Sequence, residues 1–130
     1  MIQEVDEALG LKLSDIIKNG PEEALTSTEN AQPAIMAISL AAFRVMEKEM
    51  GFRLNAVASC VAGHSLGEYS ALTAAGSFSL SDCAKLLQIR GRAMQAAVPQ
   101  GQGGMVAIIG PDYDAVEEIV REARGRVMGE

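Results

Sequence analysis

Val57-Ala58-Ser59-Cys60-Val61-Ala62-Gly63-His64-Ser65-Leu66-Gly67-Glu68-Tyr69-Ser70-Ala71-Leu72 joins a short apolar run to a serine bracketed by glycines and then to a segment rich in helix formers. Val57 to Val61 predicts a buried strand, and Glu68 to Ala75 predicts a helix. Strand, sharp turn and helix in that order point to an α/β fold with a serine at the apex of the turn.

Gly63-His64-Ser65-Leu66-Gly67 fits the pattern G-x-S-x-G. In such an elbow the glycines let strand and helix backbones approach closely, and the serine hydroxyl is pushed out of the sheet edge. The Leu66 N–H then lies at a helix N-terminus, where partial positive charge suits an oxyanion. The same letters also describe a glycine-containing loop entering a tightly packed helix; the predicted strand and helix on either side favour the elbow. His64 adjoins the serine, but adjacent side chains at a tight turn diverge, so it is poorly placed to take the Ser65 proton. It is the sole histidine, so a base is either another residue type or lies beyond residue 130.

With 130 residues, 48% of them hydrophobic and 22% charged, the chain has the composition of one globular domain. A net charge of −6 with no basic stripe argues against nucleic acid. No run approaches a membrane span, and the first twenty residues lack a signal-peptide pattern, so a cytoplasmic protein with no membrane partner is expected. Cys60 and Cys83 do not have metal-ligand spacing and read as reduced, buried small residues, with no metal or cofactor expected.

Ile2 to Leu9 predicts an amphipathic helix stopped by Gly10, and Ser14 is expected to cap a short turn ending at Asn19-Gly20-Pro21, with one more turn at Glu22 to Leu25. Thr26 to Asn30 reads as a polar loop. Pro33 then suits the first turn of a long, largely buried helix that stops at Gly51. Beyond Gly76, Ser79-Leu80-Ser81-Asp82 looks like a helix start, and the helix should run to Ala97. Its apolar stripe is Cys83, Leu86, Leu87, Ala93, Met94 and Ala97, interrupted by Arg90, while Arg92 falls on the solvated face.

A guanidinium in an apolar stripe needs a partner. Arg90 therefore reads either as half of a structural ion pair or as a bidentate clamp for a substrate carboxylate or phosphate. Gly101 to Gly104 predicts a turn or hinge, Met105 to Ile109 a strand, and Asp112 or Asp114 the cap of a last helix. Residues 1–98 are thus expected to belong to one subdomain and residues 99–130 to open a second.

Four ordered blocks are Thr28-Glu29-Asn30-Ala31-Gln32-Pro33-Ala34, Gly63 to Leu72, Arg90-Gly91-Arg92-Ala93-Met94-Gln95 and Gly104-Met105-Val106-Ala107-Ile108-Ile109-Gly110. Together they resemble the malonyl-CoA:acyl carrier protein transacylases of bacterial fatty acid synthesis. The resemblance implies an α/β-hydrolase-like large subdomain over residues 1–98 and the start of a small ferredoxin-like subdomain over residues 99–130. It implies malonyl-CoA as substrate and acyl carrier protein as partner, with Ser65 as the nucleophile and Leu66 as one oxyanion donor. Arg90 would pair with the malonyl carboxylate, and His64 and Met94 would lie near the acyl group.

The family's opening strand and Gly-Gln-Gly loop have no counterpart at the start of this chain, and its catalytic histidine matches nothing in it. Gly101-Gln102-Gly103 has the loop's letters in another place. The expectation is a piece of a longer enzyme, monomeric when whole, and impaired and prone to self-association alone. A patatin- or lipase-like hydrolase and a catalytically incomplete module are the competing readings.

Overall fold

Glycines end the first helix and the longest one where the sequence places their stops. The computed structural model describes residues 1–98, 102 and 105–127, which fall into two units, Met1–Gln100 and Gly101–Glu130. In the first, α1 (Ile2–Leu9) closes on Gly10 at φ 60°, a left-handed conformation that costs a glycine no Cβ clash. α2 (Leu13–Asn19) starts one residue before the expected cap. Ser14 lies in its first turn, and both its N–H, at 2.9 Å, and its hydroxyl donate to the Asp6 carboxylate, tying α2 to α1.

α3 (Glu22–Thr26) is the additional turn expected there. The long helix, α4 (Thr28–Met50), corrects the expected loop: it begins at Thr28 and carries Pro33 inside it. The Ser27 carbonyl accepts from the N–H groups of Asn30 and Ala31 at 3.0 and 2.8 Å, and Asn30 Nδ2 donates to the Ala24 carbonyl at 2.9 Å. The N–H groups of Asn30 and Ala31 are paired at this start without a side-chain cap, and Pro33 forgoes only its own bond to the carbonyl of Glu29.

The chain continues through α5 (Leu54–Val57), α6 (Gly67–Ala74) and α7 (Leu80–Ala97). α7 opens as its sequence reads, with Ser79 Oγ accepting from the Asp82 N–H at 3.0 Å. α7 packs along α4, burying its Cys83, Ala84, Leu87 and Gly91 and the Pro33, Met36, Ala37 and Leu40 of α4, and Val5 of α1 and Leu13 of α2 join the same core. Gly91 lies at the point of closest approach: a Cβ built there would sit 2.5 Å from both Glu29 Cα and Thr28 O. Backbone atoms cannot move aside as a flexible side chain can, so Gly91→Ala is expected to part α4 and α7 at a cost of about 3 kcal/mol. The measurement is the urea midpoint, which should fall at constant m-value; an unchanged midpoint would mean that the contact yields freely.

Two expectations are corrected here. α4 buries one face only, and Ile35, Ile38, Val45, Met46 and Met50 are exposed on the rest, because the described residues include nothing that packs over them. The predicted strand at Val57 to Val61 is replaced by α5 through Val57 and by chain without regular structure from Ala58 to Gly63, extended at Ala58. A strand exists only as part of a ladder, and among the described residues none is present to pair with it.

In the second unit Met105 to Ile109, also expected as a strand, runs exposed and without regular structure for the same reason. α8 (Tyr113–Val127) follows, with Asp112 Oδ1 accepting from the Ala115 N–H at 3.0 Å. Of the expected hinge only Gln102 is described; Pro99, Gly101, Gly103 and Gly104 lie outside the described residues. No helix among the described residues is long and apolar enough to cross a membrane.

Candidate functional site

Between the unpaired segment and α6, the chain turns through Gly63 to Gly67, and Ser65 sits at φ 58°. It is the one non-glycine residue described with positive φ, a conformation that costs an L side chain on the order of 1–2 kcal/mol. The turn is held by the carbonyls of His64 and Ser65, which accept from the N–H groups of Gly67 at 2.9 Å and Glu68 at 3.2 Å. A Cβ on Gly63 would overlap the Gly67 carbonyl and lie 2.5 Å from the Glu68 nitrogen. The two arms of the turn therefore touch backbone to backbone, as the sequence spacing anticipated. The exposed serine is carried at the tip.

α6 fixes this tip from below. Leu66 and Tyr69 pack against the core, Thr73 is buried, and the Thr73 hydroxyl donates to the Tyr69 carbonyl at 2.8 Å. The Leu66 N–H finds no acceptor among the described residues and stands at the start of α6, free to donate to an incoming oxygen. Cys83 lies under α6 with its thiol held above the usual range by burial, which removes it as a thiolate nucleophile.

Arg90 reaches the serine from α7. Its Nη2 donates to Ser65 Oγ at 3.0 Å, its Nη1 donates to Gln32 Oε1 of α4, and its Cζ lies 5.9 Å from the centroid of the Tyr69 ring. Among the described residues no carboxylate pairs with it. The structural ion pair allowed by the sequence is thus not formed, and the half-buried guanidinium has only neutral partners. Arg92, expected to be solvated, is exposed yet pairs with Glu29 at 2.8 Å.

Met94, one turn beyond Arg90, joins the cluster through Gln32, whose Nε2 donates to its sulfur at 3.4 Å. His64 points elsewhere: it is exposed, makes no hydrogen bond to Ser65 among the described residues, and lines an open groove with Leu40, Phe43, Val61 and Ser70. Ser65, Leu66, Arg90 and Met94 are therefore brought together, and His64 adjoins them on the other side. Gln32 and Tyr69 were given no role from the sequence. For Gln32 a signal existed, since it is the lone polar residue on the stripe Gln32, Met36, Leu40. Chemically, the cluster offers a hydroxyl, an unengaged backbone donor and an unneutralised cation within one small space.

The family model described as the acyl transferase domain matches residues 2–129. The malonyl CoA-acyl carrier protein transacylase of Bacillus subtilis (strain 168) is 45% identical over 120 residues, covering 92% of this chain and 36% of that protein. The solved acyl-carrier-protein-S-malonyltransferase from Bartonella henselae is 61% identical with a TM-score of 0.80, covering 91% of this chain and 37% of the other. A malonyl-transacylase solved in complex with its type II PKS acyl-carrier protein is 40% identical with a TM-score of 0.80, over 93% and 38%. The chain thus spans well under half the length of the relatives it matches.

Proposed function

Because the chain belongs to the acyl transferase domain family, we propose that it carries the nucleophile and the substrate-selecting arginine of a malonyl-CoA:acyl carrier protein transacylase of fatty acid synthesis, working in the cytoplasm. Residues 1–98 are read as part of an α/β-hydrolase-like large subdomain and residues 99–130 as the start of a ferredoxin-like small one. The bare apolar face of α4 supports that reading, since a sheet packed on it would bury Ile35, Ile38, Val45 and Met46 and supply ladder partners for the segment before Ser65.

The reaction is ping-pong acyl transfer. Ser65 Oγ attacks the thioester carbonyl, the carbon–sulfur bond breaks, coenzyme A leaves as the thiol and malonyl remains as the serine ester. The phosphopantetheine thiol of acyl carrier protein then attacks that ester and frees Ser65. Leu66 N–H stabilises the oxyanion in both halves, and the base that moves the proton is assigned to a histidine outside residues 1–130. Met94 flanks the acyl group, while His64, exposed and lining the neighbouring groove, adjoins it only as the residue before Ser65.

One observation carries the malonyl assignment: Arg90 stands 3.0 Å from the serine oxygen with no anionic partner among the described residues. A malonyl ester on Ser65 would bring its free carboxylate to that cation, whereas a neutral acyl chain would leave it unpaired in a closed site. In the protein extended at both ends to the length of its relatives, Arg90→Ala is expected to lower kcat/KM for malonyl-CoA about a hundredfold and to shift preference toward acetyl-CoA. Unchanged preference would overturn the assignment. Hydrolysis of a neutral ester that is insensitive to Arg90→Ala would favour the lipase-like alternative.

A further inference from the structure

We propose that Gln32 is the positioning residue for the carboxylate-binding arginine, holding Arg90 in place through both halves of the reaction while leaving its charge available. This rests on reading Arg90 as the partner of the malonyl carboxylate.

Gln32 is 4% exposed in the apolar seam of α4, an environment that penalises a side-chain amide unless both ends are paired. Both are: Oε1 accepts from Arg90 Nη1, and Nε2 donates to Met94 Sδ at 3.4 Å. The orientation follows from chemistry, because a guanidinium has only donors and must meet the amide oxygen. A long arginine side chain would otherwise sample many rotamers at the mouth of a site. Its three partners differ in what they can fix. The Tyr69 ring face, 5.9 Å away, attracts the cation without setting its direction. The Ser65 hydroxyl is directional, but its oxygen becomes the ester oxygen during turnover. Gln32 alone is directional and chemically unchanged throughout.

Its neutrality matters equally. A carboxylate at residue 32 would accept the same hydrogen bond and neutralise Arg90, placing an internal competitor where the substrate carboxylate must bind. An amide aims the fork and leaves the charge for the substrate.

The test compares Gln32→Leu, Gln32→Glu and Arg90→Ala in the protein extended to the length of its relatives, with folding followed by circular dichroism and kcat and KM measured separately for malonyl-CoA and acetyl-CoA. Gln32→Leu is expected to raise KM for malonyl-CoA about tenfold, with a smaller change in kcat. Gln32→Glu should erode the malonyl-over-acetyl preference further, although it preserves the hydrogen bond. If both Gln32 variants keep the parent preference while Arg90→Ala loses it, Gln32 only fills the seam and the inference falls. If Arg90→Ala itself keeps the preference, the carboxylate assignment falls and this inference with it. Should Gln32→Leu not fold, Gln32→Glu against Arg90→Ala decides the question alone.

Discussion

Ser65→Ala is expected to erase the covalent intermediate: intact mass after brief incubation of the extended protein with malonyl-CoA should show an added malonyl group that is absent from the variant. Transfer to the carrier protein should fall by about 10⁶, as for the loss of a serine nucleophile that works as a unit with its base. The backbone supplies an internal check, because Ser65 is held at φ 58° and alanine inherits that strain while glycine does not. Both variants lose the adduct, but Ser65→Gly should be more stable than Ser65→Ala by about 1 kcal/mol in urea unfolding. An adduct that survives in either variant would move the nucleophile elsewhere. Equal stabilities would mean that the turn relaxes out of the left-handed region once the hydroxyl is gone.

Gly63→Ala should combine what Ser65→Ala separates. The added methyl would overlap the Gly67 carbonyl, and neither arm of the turn can retreat without opening the contact that carries Ser65. A loss of about 3 kcal/mol or more is expected, at the upper end of overpacking effects because the obstacle is backbone. The malonyl adduct should vanish with it, although the serine, the arginine and the base are all intact. Urea unfolding and intact mass on the same preparation distinguish the two variants: Ser65→Ala loses chemistry and keeps stability, whereas Gly63→Ala loses both. Parent-like stability in Gly63→Ala would show that the arms of the turn are not pressed together.

The turn and the arginine were legible because each depends on local spacing. Gly63 and Gly67 bracket Ser65 at the separation a tight backbone crossing needs, and Arg90 interrupts a stripe whose 3.6-residue period is set by α7 itself. The Ser79 cap was legible for the same reason, since its partner is only three residues away. What failed depended on partners elsewhere. A strand at Val57 to Val61 requires a ladder that its own residues cannot supply, and the burial of Ile35 and Ile38 depends on what packs over α4 rather than on their hydrophobicity. Pro33 misled by its preference for a first turn, because the helix already starts at Thr28, where the Ser27 carbonyl accepts from Asn30 and Ala31 and the Asn30 side chain ties that start to Ala24. Gln32 was passed over although it breaks its stripe as Arg90 breaks its own, and the two meet only when α4 crosses α7.

That crossing gives Gly91 a significance beyond stability. A side chain there would meet the backbone of Thr28 and Glu29, yet Arg90 is its neighbour in sequence and Gln32 lies one turn along from Thr28. The spacing between arginine and amide is therefore set by how closely two helix backbones can approach. In a mutational screen scored on acyl preference, a change at Gly91 would surface beside changes at the arginine itself, and a map of hits would extend the pocket into a seam no substrate enters. On the proposed reading, selectivity and packing would be one inherited trait, because the arginine and the amide that aims it are spaced by the same seam that closes the core.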